Sequence, residues 1–114
     1  MGKYKLIVLT EPKEGCEAEY NTWYNHQHLP EVVAVPGFGS AQRFKLEEVC
    51  GGEFKQRYLA IYEIDAADYS PAIKELLHRA ATGVMELSQT LNADKTAFAV
   101  FAECSPRVDP PKSR

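Results

Sequence analysis

The sequence predicts an α+β fold in which four strands and two helices follow one another in the order β-α-β-β-α-β. Apolar or alternating runs typical of strands occur near both ends of the chain and twice in its middle. Two stretches with helical periodicity separate these runs. This order is that of a ferredoxin-like fold, a four-stranded antiparallel sheet with two helices on one face. The length of 114 residues suits one hydrophobic core, so we expect a single domain over residues 1–104.

The first strand and the first helix are predicted within residues 4–35. Residues 4–10 (YKLIVLT) are nearly apolar in their middle, as in a strand that is buried on both faces. From residue 16 the period becomes helical, and at about 100° per residue one face gathers five side chains. These are Cys16, Tyr20, Trp23, Tyr24 and Gln27. Pro30 disfavours helical geometry at Leu29, so we expect this helix to end near His28 and a new turn to start at Pro30.

Two strands joined by a hairpin are predicted next. Residues 38–49 alternate in polarity, and Phe38 and Phe44 share one parity, which predicts that both side chains lie on the same face. A Gly-Gly pair at 51–52 indicates the hairpin connection into residues 57–65 (RYLAIYEID), another strand that is apolar on both faces.

The last helix, strand and tail follow. Ser70 is the predicted N-cap of the second helix and Pro71 its first helical residue. The apolar pattern of this helix continues past Gly83, where a break is possible. Residues 95–103 predict the fourth strand. Residues 105–114 contain three prolines and no period, so we expect a flexible tail.

The two-sided strands have a consequence for assembly. Two helices cover one face of such a sheet, whereas the predicted strands are apolar on both faces. A second copy of the same sheet is the economical way to bury the other face. We therefore expect a homodimer whose two sheets meet.

Composition excludes several classes of partner and location. The net charge is −3 and the basic residues are scattered, which argues against nucleic-acid binding. The longest apolar run is six residues, 97–102, so no membrane span is expected. The N-terminus has no apolar stretch of the secretory type, and we expect a cytoplasmic protein. Three widely spaced cysteines, Cys16, Cys50 and Cys104, suit reduced thiols and not a zinc site.

Two neighbouring histidines are the first candidate site residues. Side chains two residues apart on a helix diverge by about 200°, so His26 is expected to face solvent and a metal site is not expected. His28 falls beside Trp23 and Tyr24 at the predicted helix end. The helix dipole there favours the protonated ring and burial favours the neutral one, a balance that suits proton transfer. The open alternative is a partial C-cap, and His78 is expected at the surface.

An arginine and several tyrosines are the other candidates. Arg43 lies mid-strand among apolar neighbours, where an unpaired charge is costly. Its partner is expected to be Glu63 in a structural ion pair, an acidic residue across the dimer, or a ligand oxygen. Tyrosine rings can wall a pocket while their hydroxyls orient a small oxygenated ligand, although core packing is an equally simple role. The residues concerned are Tyr20, Tyr58 and Tyr62.

These residues carry a resemblance to a known family. The segments Trp23-Tyr24, His28-Leu29-Pro30, Pro36-Gly37-Phe38 and Arg43-Phe44 resemble the ethyl tert-butyl ether degradation (EthD)-like branch of the dimeric α+β barrel superfamily. The resemblance extends over about residues 4–103. It implies a ferredoxin-like protomer, a barrel formed by two facing sheets, and a cleft between the sheet and the helices.

The resemblance also implies a role for His28. The superfamily includes cofactor-independent monooxygenases, polyketide cyclases, isomerases, lyases and haem-handling proteins, and the resemblance makes the histidine at this position the natural acid/base candidate. An acidic residue commonly precedes that histidine, whereas this chain has Gln27. An orienting carboxylate is therefore missing or supplied by Glu31 or Glu63.

The sequence thus predicts a cofactor-independent enzyme of the isomerase or lyase type that acts on a small, oxygenated, partly apolar metabolite, with aromatic catabolism as one setting. His28 would transfer a proton and Arg43 would bind a carboxylate or enolate oxygen. The predicted substrate-binding residues are Tyr20, Trp23, Tyr24, Gln27, Tyr58 and Tyr62. The alternatives are an ester or lactone hydrolase, a cofactorless monooxygenase, a non-enzymatic dimeric binding protein, or a haem-handling protein with His28 or His78 as axial ligand.

Overall fold

A computed structural model describes residues 3–112 and confirms the predicted α+β fold. The strands are β1 (Tyr4–Thr10), β2 (Phe38–Lys45), β3 (Tyr58–Ile64) and β4 (Ala97–Ala102). The helices are α1 (Glu17–Trp23), a π-helical turn (Tyr24–His28), α2 (Leu29–Val33) and α3 (Ser70–Ala81), with a short 3₁₀ turn (Ala93–Lys95) before β4. The sheet order is β2-β3-β1-β4, and each neighbouring pair is antiparallel.

The sheet has one face covered by helices and one face that is open. In β3 every second residue, from Tyr58 to Ile64, is buried, and the residues between are half-buried. We call the helix side the covered face and the other side the open face. Strand register places nine residues with long or bulky side chains on the open face. These are Lys5, Ile7, Leu9, Gln42, Phe44, Leu59, Ile61, Glu63 and Phe101.

A bulge in β2 overturns one prediction from the sequence. Phe38 is opposite Ile64 and Ala41 is opposite Tyr62, so three steps along β2 match two steps along β3. The extra residue exchanges the faces of the side chains on either side of it. Phe38 therefore packs against Tyr62 on the covered face, with ring centroids 6.2 Å apart, while Phe44 is on the open face. The predicted common parity of the two phenylalanines is wrong for this reason.

The first helix does not end near His28, as the sequence predicted. The residues at both ends of the π turn have right-handed helical dihedrals, so the helix is continuous from Glu17 to Val33. Pro30 lacks an N–H for the carbonyl one turn earlier, and its ring crowds that carbonyl. The π turn immediately before α2 widens the helix there, which accommodates the proline without a break.

The wider turn also changes which side chains face the core. Tyr20 and Tyr24 are buried and His28 is mostly buried, four residues apart in each step. Gln27, which a regular α-helical phase placed on the inner face, is exposed. His26 is exposed, as predicted. His28, and not Gln27, is therefore the next residue after Tyr24 on the face of the helix that points to the core.

The second helix is shorter than its apolar pattern. It ends at Ala81, and Gly83 has φ +81°, the left-handed conformation with which glycine commonly terminates a helix. The apolar residues beyond it form an irregular segment in which Met85 is buried. At the other end α3 begins at Ser70 and its N-cap residue is Tyr69, so the predicted N-cap at Ser70 is wrong. The Asp68 carboxylate accepts the Ser70 backbone N–H at 2.9 Å.

The core lies between the covered face and the first helix. Its largest fully buried side chains are Tyr20, Tyr24, Tyr62, Leu6, Ile64, Val32 and Val35. Residues 103–112 are exposed and contain no helix or strand. The predicted domain begins with residues 1–2 and the predicted tail ends with residues 113–114, and these residues lie outside those that the structure describes. The flexibility of the tail stays a prediction. None of the helices between residues 3 and 112 has the length and hydropathy needed to cross a bilayer.

Gly37 joins α2 to β2 under a steric constraint that a substitution tests. Gly37 has φ +98°, and a Cβ built there would lie 3.0 Å from the Ala72 Cβ in α3. Gly83 has φ +81° with open space around it, so Gly83→Ala adds backbone strain alone. We expect Gly83→Ala to cost about 1 kcal/mol of unfolding free energy and Gly37→Ala about 2–4 kcal/mol. Urea denaturation measures both, and equal losses would contradict the close packing of Gly37 against α3.

Candidate functional site

A cavity of about 120 Å³ lies between the covered face and the helices. Residues from β1, the first helix, β3, α3, the irregular segment after α3, and β4 line it. The lining residues are Leu6, Val8, Thr10, Trp23, Tyr24, His28, Val32, Tyr62, Leu76, Leu77, Leu87, Leu91, Thr96 and Phe98. The wall is mostly aliphatic and aromatic and contains no Asp, Glu, Lys or Arg side chain. His28 is its one histidine.

The cavity brings together half of the residues predicted from the sequence. Those that line it are His28, Trp23, Tyr24 and Tyr62. Those that are not among its lining residues are Arg43, Tyr20, Gln27 and Tyr58. The catalytic and substrate-binding roles of all eight stay predictions.

His28 is packed between two aromatic rings of its own helix. Its imidazole stacks on the Trp23 ring, with centroids 4.6 Å apart and planes inclined by 21°. The Tyr24 ring meets it edge-on at 4.9 Å. The His28 Nδ1 atom is buried and has no hydrogen-bond partner among the residues described. The C-cap alternative is wrong, because the helix continues through His28 to Val33.

Burial controls the protonation of His28. With no helix end at this residue, the expected favourable dipole is absent. Burial and, to a smaller extent, the positive charge of Arg43 together lower the pKa of His28 to about 4. The imidazole is therefore neutral at physiological pH, and its unprotonated nitrogen can accept a proton.

The tyrosine hydroxyls beside His28 bond to other protein groups. Tyr62 donates a hydrogen bond to the Tyr24 hydroxyl at 3.3 Å, and Thr10 and Tyr20 share a short one. Burial raises the pKa of Tyr24 to about 12 and that of Tyr62 further still. Both phenols are thus neutral at pH 7, and the cavity wall as a whole carries no charge.

Arg43 reaches the covered face from β2 and is held by amides and rings. Its Nη1 donates to Asn25 Oδ1 at 2.7 Å, and its Nη2 donates to Asn21 Oδ1 at 2.9 Å. The guanidinium carbon lies 4.2 Å from the centre of the Tyr24 ring and 5.0 Å from that of Tyr58. Cation–π contacts of this kind contribute about 0.5–2 kcal/mol each, depending on burial. Arg43 therefore joins β2 to the first helix.

The predicted ion pair between Arg43 and Glu63 is wrong. Glu63 is on the open face of the sheet, where it bonds Lys5 Nζ at 2.6 Å. Arg43 is on the covered face, so the sheet itself separates the two charges. Glu31 does not supply the orienting carboxylate for His28 either. Glu31 Oε1 and His28 Nδ1 are both buried without a hydrogen-bond partner in the part of the chain that the structure describes.

Asn21 and Asn25 are functional candidates that the sequence reasoning missed. Helical phase at about 100° per residue puts both of them outside the predicted inner face. Their spacing of four residues puts them one above the other, beside the aromatic face, where they meet the guanidinium that needed partners. Asn21 also donates to the Tyr58 hydroxyl at 3.1 Å. The signal available was the unpaired Arg43 together with two amides at helical spacing.

The buried neutral state of His28 makes a prediction about stability and pH. An unfolded histidine binds a proton below about pH 6.5, whereas folded His28 does so only near pH 4. Between these values the unfolded state binds more protons, so stability falls as the pH falls through that window. We expect the wild type to lose up to about 3 kcal/mol relative to His28→Gln between pH 7 and pH 4.

Urea denaturation of the wild type and of His28→Gln at pH 7, 5.5 and 4 measures this difference. The carboxylates contribute equally to both proteins, so their contributions cancel. His26→Gln is the matched control, because His26 is exposed on the same helix and its loss should leave the wild-type pH dependence unchanged. Parallel curves for the wild type and His28→Gln would contradict a buried neutral imidazole.

Comparisons with known proteins found similarity in structure and not in sequence. Neither the protein-family models nor the curated proteins contain a match to this chain. An EthD family protein from Bacillus halodurans superimposes with a TM-score of 0.62 at 18% identity, over 89% of this chain and 98% of the other. MhuD, a haem-degrader from Mycobacterium tuberculosis whose structure has two haems bound in its active site, has a TM-score of 0.61 at 17% identity, over 92% and 99%.

A third solved structure, a candidate monooxygenase from Shewanella loihica, has a TM-score of 0.51 at 19% identity, over 90% of this chain and 95% of the other. Identities this low establish architecture and leave chemistry open. The comparisons therefore confirm the predicted α+β, ferredoxin-like fold, which this chain shares with an EthD family protein.

Proposed function

We propose that this protein is a small-molecule enzyme in which neutral His28 accepts a proton from a substrate bound in the cavity between the covered face and the helices. One observation carries the proposal. A neutral imidazole forms part of the wall of an otherwise apolar cavity, and its Nδ1 is buried without a partner among the described residues. An unsatisfied buried polar atom costs about 1–3 kcal/mol, a cost that structural packing alone does not explain.

The reaction that suits this site is proton transfer next to a carbonyl group. His28 removes a proton from the carbon beside the carbonyl, and the electron pair of the C–H bond moves to the carbonyl oxygen as an enolate. Return of the proton to another carbon gives an isomerase, and departure of a leaving group gives a lyase. A resting pKa near 4 makes His28 a weak base, but the enolate charge that develops beside it favours the imidazolium.

Arg43 supports this chemistry from behind the wall of the cavity. It was predicted to bind a carboxylate or enolate oxygen directly, yet two of its nitrogens already donate to Asn21 and Asn25. Its charge faces the Tyr24 ring at 4.2 Å and is felt at His28. We assign it a positioning and electrostatic role, in which a fixed cation opposes the negative charge formed on the substrate.

The other chemistries considered for the cleft receive unequal support. Ester or lactone hydrolysis and cofactorless oxygenation use the same neutral His28 and stay alternatives, as does a binding protein without turnover. A haem receives less support, because the cavity measures about 120 Å³, less than the roughly 150 Å³ of an engineered protein cavity that binds benzene. His78, the other proposed axial ligand, is exposed and is not among the lining residues. A setting in aromatic catabolism and a cytoplasmic location stay predictions.

Hydrogen exchange into small ketones tests the proposed base. Cyclic ketones incubated with the protein in D₂O exchange the hydrogens beside the carbonyl if His28 removes them, and proton NMR measures the rate. We expect His28→Gln to reduce the enzyme-dependent exchange by about 10²–10⁴-fold. His26→Gln, on the exposed side of the same helix, should retain it. Full exchange by a folded His28→Gln protein would eliminate His28 as the base.

We also propose that the open face joins two copies of the chain. Its aliphatic side chains Ile7, Leu9 and Ile61 are half-buried in the protomer, and Phe44 and Phe101 are 44% and 58% exposed. An apolar sheet face of this kind is costly in water. A second copy related by a two-fold axis would cover it with an identical surface.

Substitution at the centre of the open face tests the dimer. Ile61→Glu places a charge where two sheets would meet, so we expect it to shift the protein from a dimeric to a monomeric mass by light scattering at micromolar concentration. Ala67→Glu, at an exposed position outside the sheet, is the control and should stay dimeric. A monomeric wild type would refute the proposal directly.

A further inference from the structure

We infer that the cavity selects an uncharged compound with a single ring and one hydrogen-bonding oxygen, such as a phenol or a cyclic ketone. The inference rests on the proposed function only in taking this cavity as the substrate site. Three independent properties of the wall lead to it: its size, its lack of charge, and the number of polar atoms that it leaves without partners.

The volume limits the ligand to about one ring. Benzene occupies an engineered cavity of roughly 150 Å³, and this cavity measures about 120 Å³. It also opens to solvent past apolar side chains, since Leu77, Leu87 and Phe98 line it and are each about half exposed. A six-membered ring thus fills the interior, and a second ring would extend past this rim into water.

The wall offers no countercharge to an ionic ligand. The lining contains no Asp, Glu, Lys or Arg, and the neutral imidazole and phenols add no charge near pH 7. The guanidinium of Arg43 is not part of the lining and has Asn21 and Asn25 as partners. A carboxylate would lose its hydration without gaining an ion pair, which is a large penalty in an apolar site.

Few polar atoms of the wall lack a hydrogen-bond partner. The lining hydroxyls already bond to protein groups: Tyr62 to Tyr24, Thr10 to Tyr20, and Thr96 to the Asn92 carbonyl. The exceptions among the described lining residues are His28 Nδ1 and Trp23 Nε1, which are buried without partners in two stacked rings.

These two rings therefore define one polar position in an apolar wall. An indole N–H donates to an oxygen, and a neutral imidazole accepts from a hydroxyl or, in its other tautomer, donates to a carbonyl. A ligand oxygen that reaches these rings would supply the partner that either nitrogen lacks. A second hydroxyl or an amide on the ligand would be buried without a partner and would weaken binding.

The sole tryptophan of the chain provides the measurement. Trp23 lines the cavity, so titrations are followed through its single indole N–H resonance by NMR. Phenol and cyclohexanone should shift this resonance saturably. Benzoate, with the same ring and a charge, and 2-naphthol, with two rings, should each bind at least tenfold more weakly. Equal affinity for benzoate would overturn the selection against charge, and equal affinity for 2-naphthol would overturn the size limit.

A variant isolates the polar position. His28→Phe keeps an aromatic ring against Trp23 and removes both imidazole nitrogens, so phenol should bind about tenfold more weakly while fluorobenzene keeps its affinity. His26→Phe is the matched exposed control and should bind both ligands as the wild type does. Equal losses of affinity for phenol and fluorobenzene would refute the assignment of the ligand oxygen to His28. If His28→Phe does not fold, the titrations of the wild type still decide the limits on ligand size and charge.

The experiments distinguish a failure of the inferred selectivity from a failure of the proposed enzyme activity. Saturable phenol binding without His28-dependent exchange into any ketone leaves the selectivity standing and removes the proposed enzyme. Exchange into a charged substrate in preference to cyclohexanone leaves the enzyme standing and removes the selectivity.

Discussion

The candidate site depends on the way the first helix accommodates Pro30. A proline inside a helix removes one hydrogen bond and crowds a carbonyl, at a cost of about 3 kcal/mol in a regular α-helix. The π turn at Tyr24–His28 absorbs that conflict and lets the chain continue as α2. Because the turn is wider, His28 and not Gln27 follows Tyr24 on the inner face. The same local irregularity that removes a helix end thus gives the cavity its one imidazole.

Arg43 then connects this helix to the sheet. Its guanidinium is a cation in a mostly apolar layer, and such a charge needs partners that satisfy it without neutralising it. The amide oxygens of Asn21 and Asn25 provide hydrogen bonds, and the faces of Tyr24 and Tyr58 provide further attraction. A carboxylate would cancel the charge, whereas amides leave its field intact. The positive potential therefore extends to His28 and adds to the effect of burial on its pKa.

The sequence predicts the strands and the covered face well, because alternation along β1 and β3 is regular and buried side chains reveal it. It fails where the backbone adds a residue. The bulge between Phe38 and Ala41 reverses the parity of β2, and the π turn shifts the phase of the first helix. Each irregularity changes the face on which the later side chains of its element lie, while the composition of the sequence stays the same. Tyr24 and His28 could be predicted as neighbours from their spacing of four residues, whereas the stacking of His28 on Trp23 depends on the π turn. The partners of Arg43 depend on contacts between the first helix and β2.

The burial of His28 has two opposite effects on the proposed chemistry. It disfavours the imidazolium in the empty cavity, which makes the resting ring a weak base. The same apolar surroundings strengthen the attraction between imidazolium and enolate, because charges interact more strongly where water is excluded. Proton transfer is then favourable only when the anion forms beside the ring. A base of this kind stays unprotonated without substrate and gains its driving force from the charge created in the reaction, so an apolar cavity with a low histidine pKa is consistent with proton transfer.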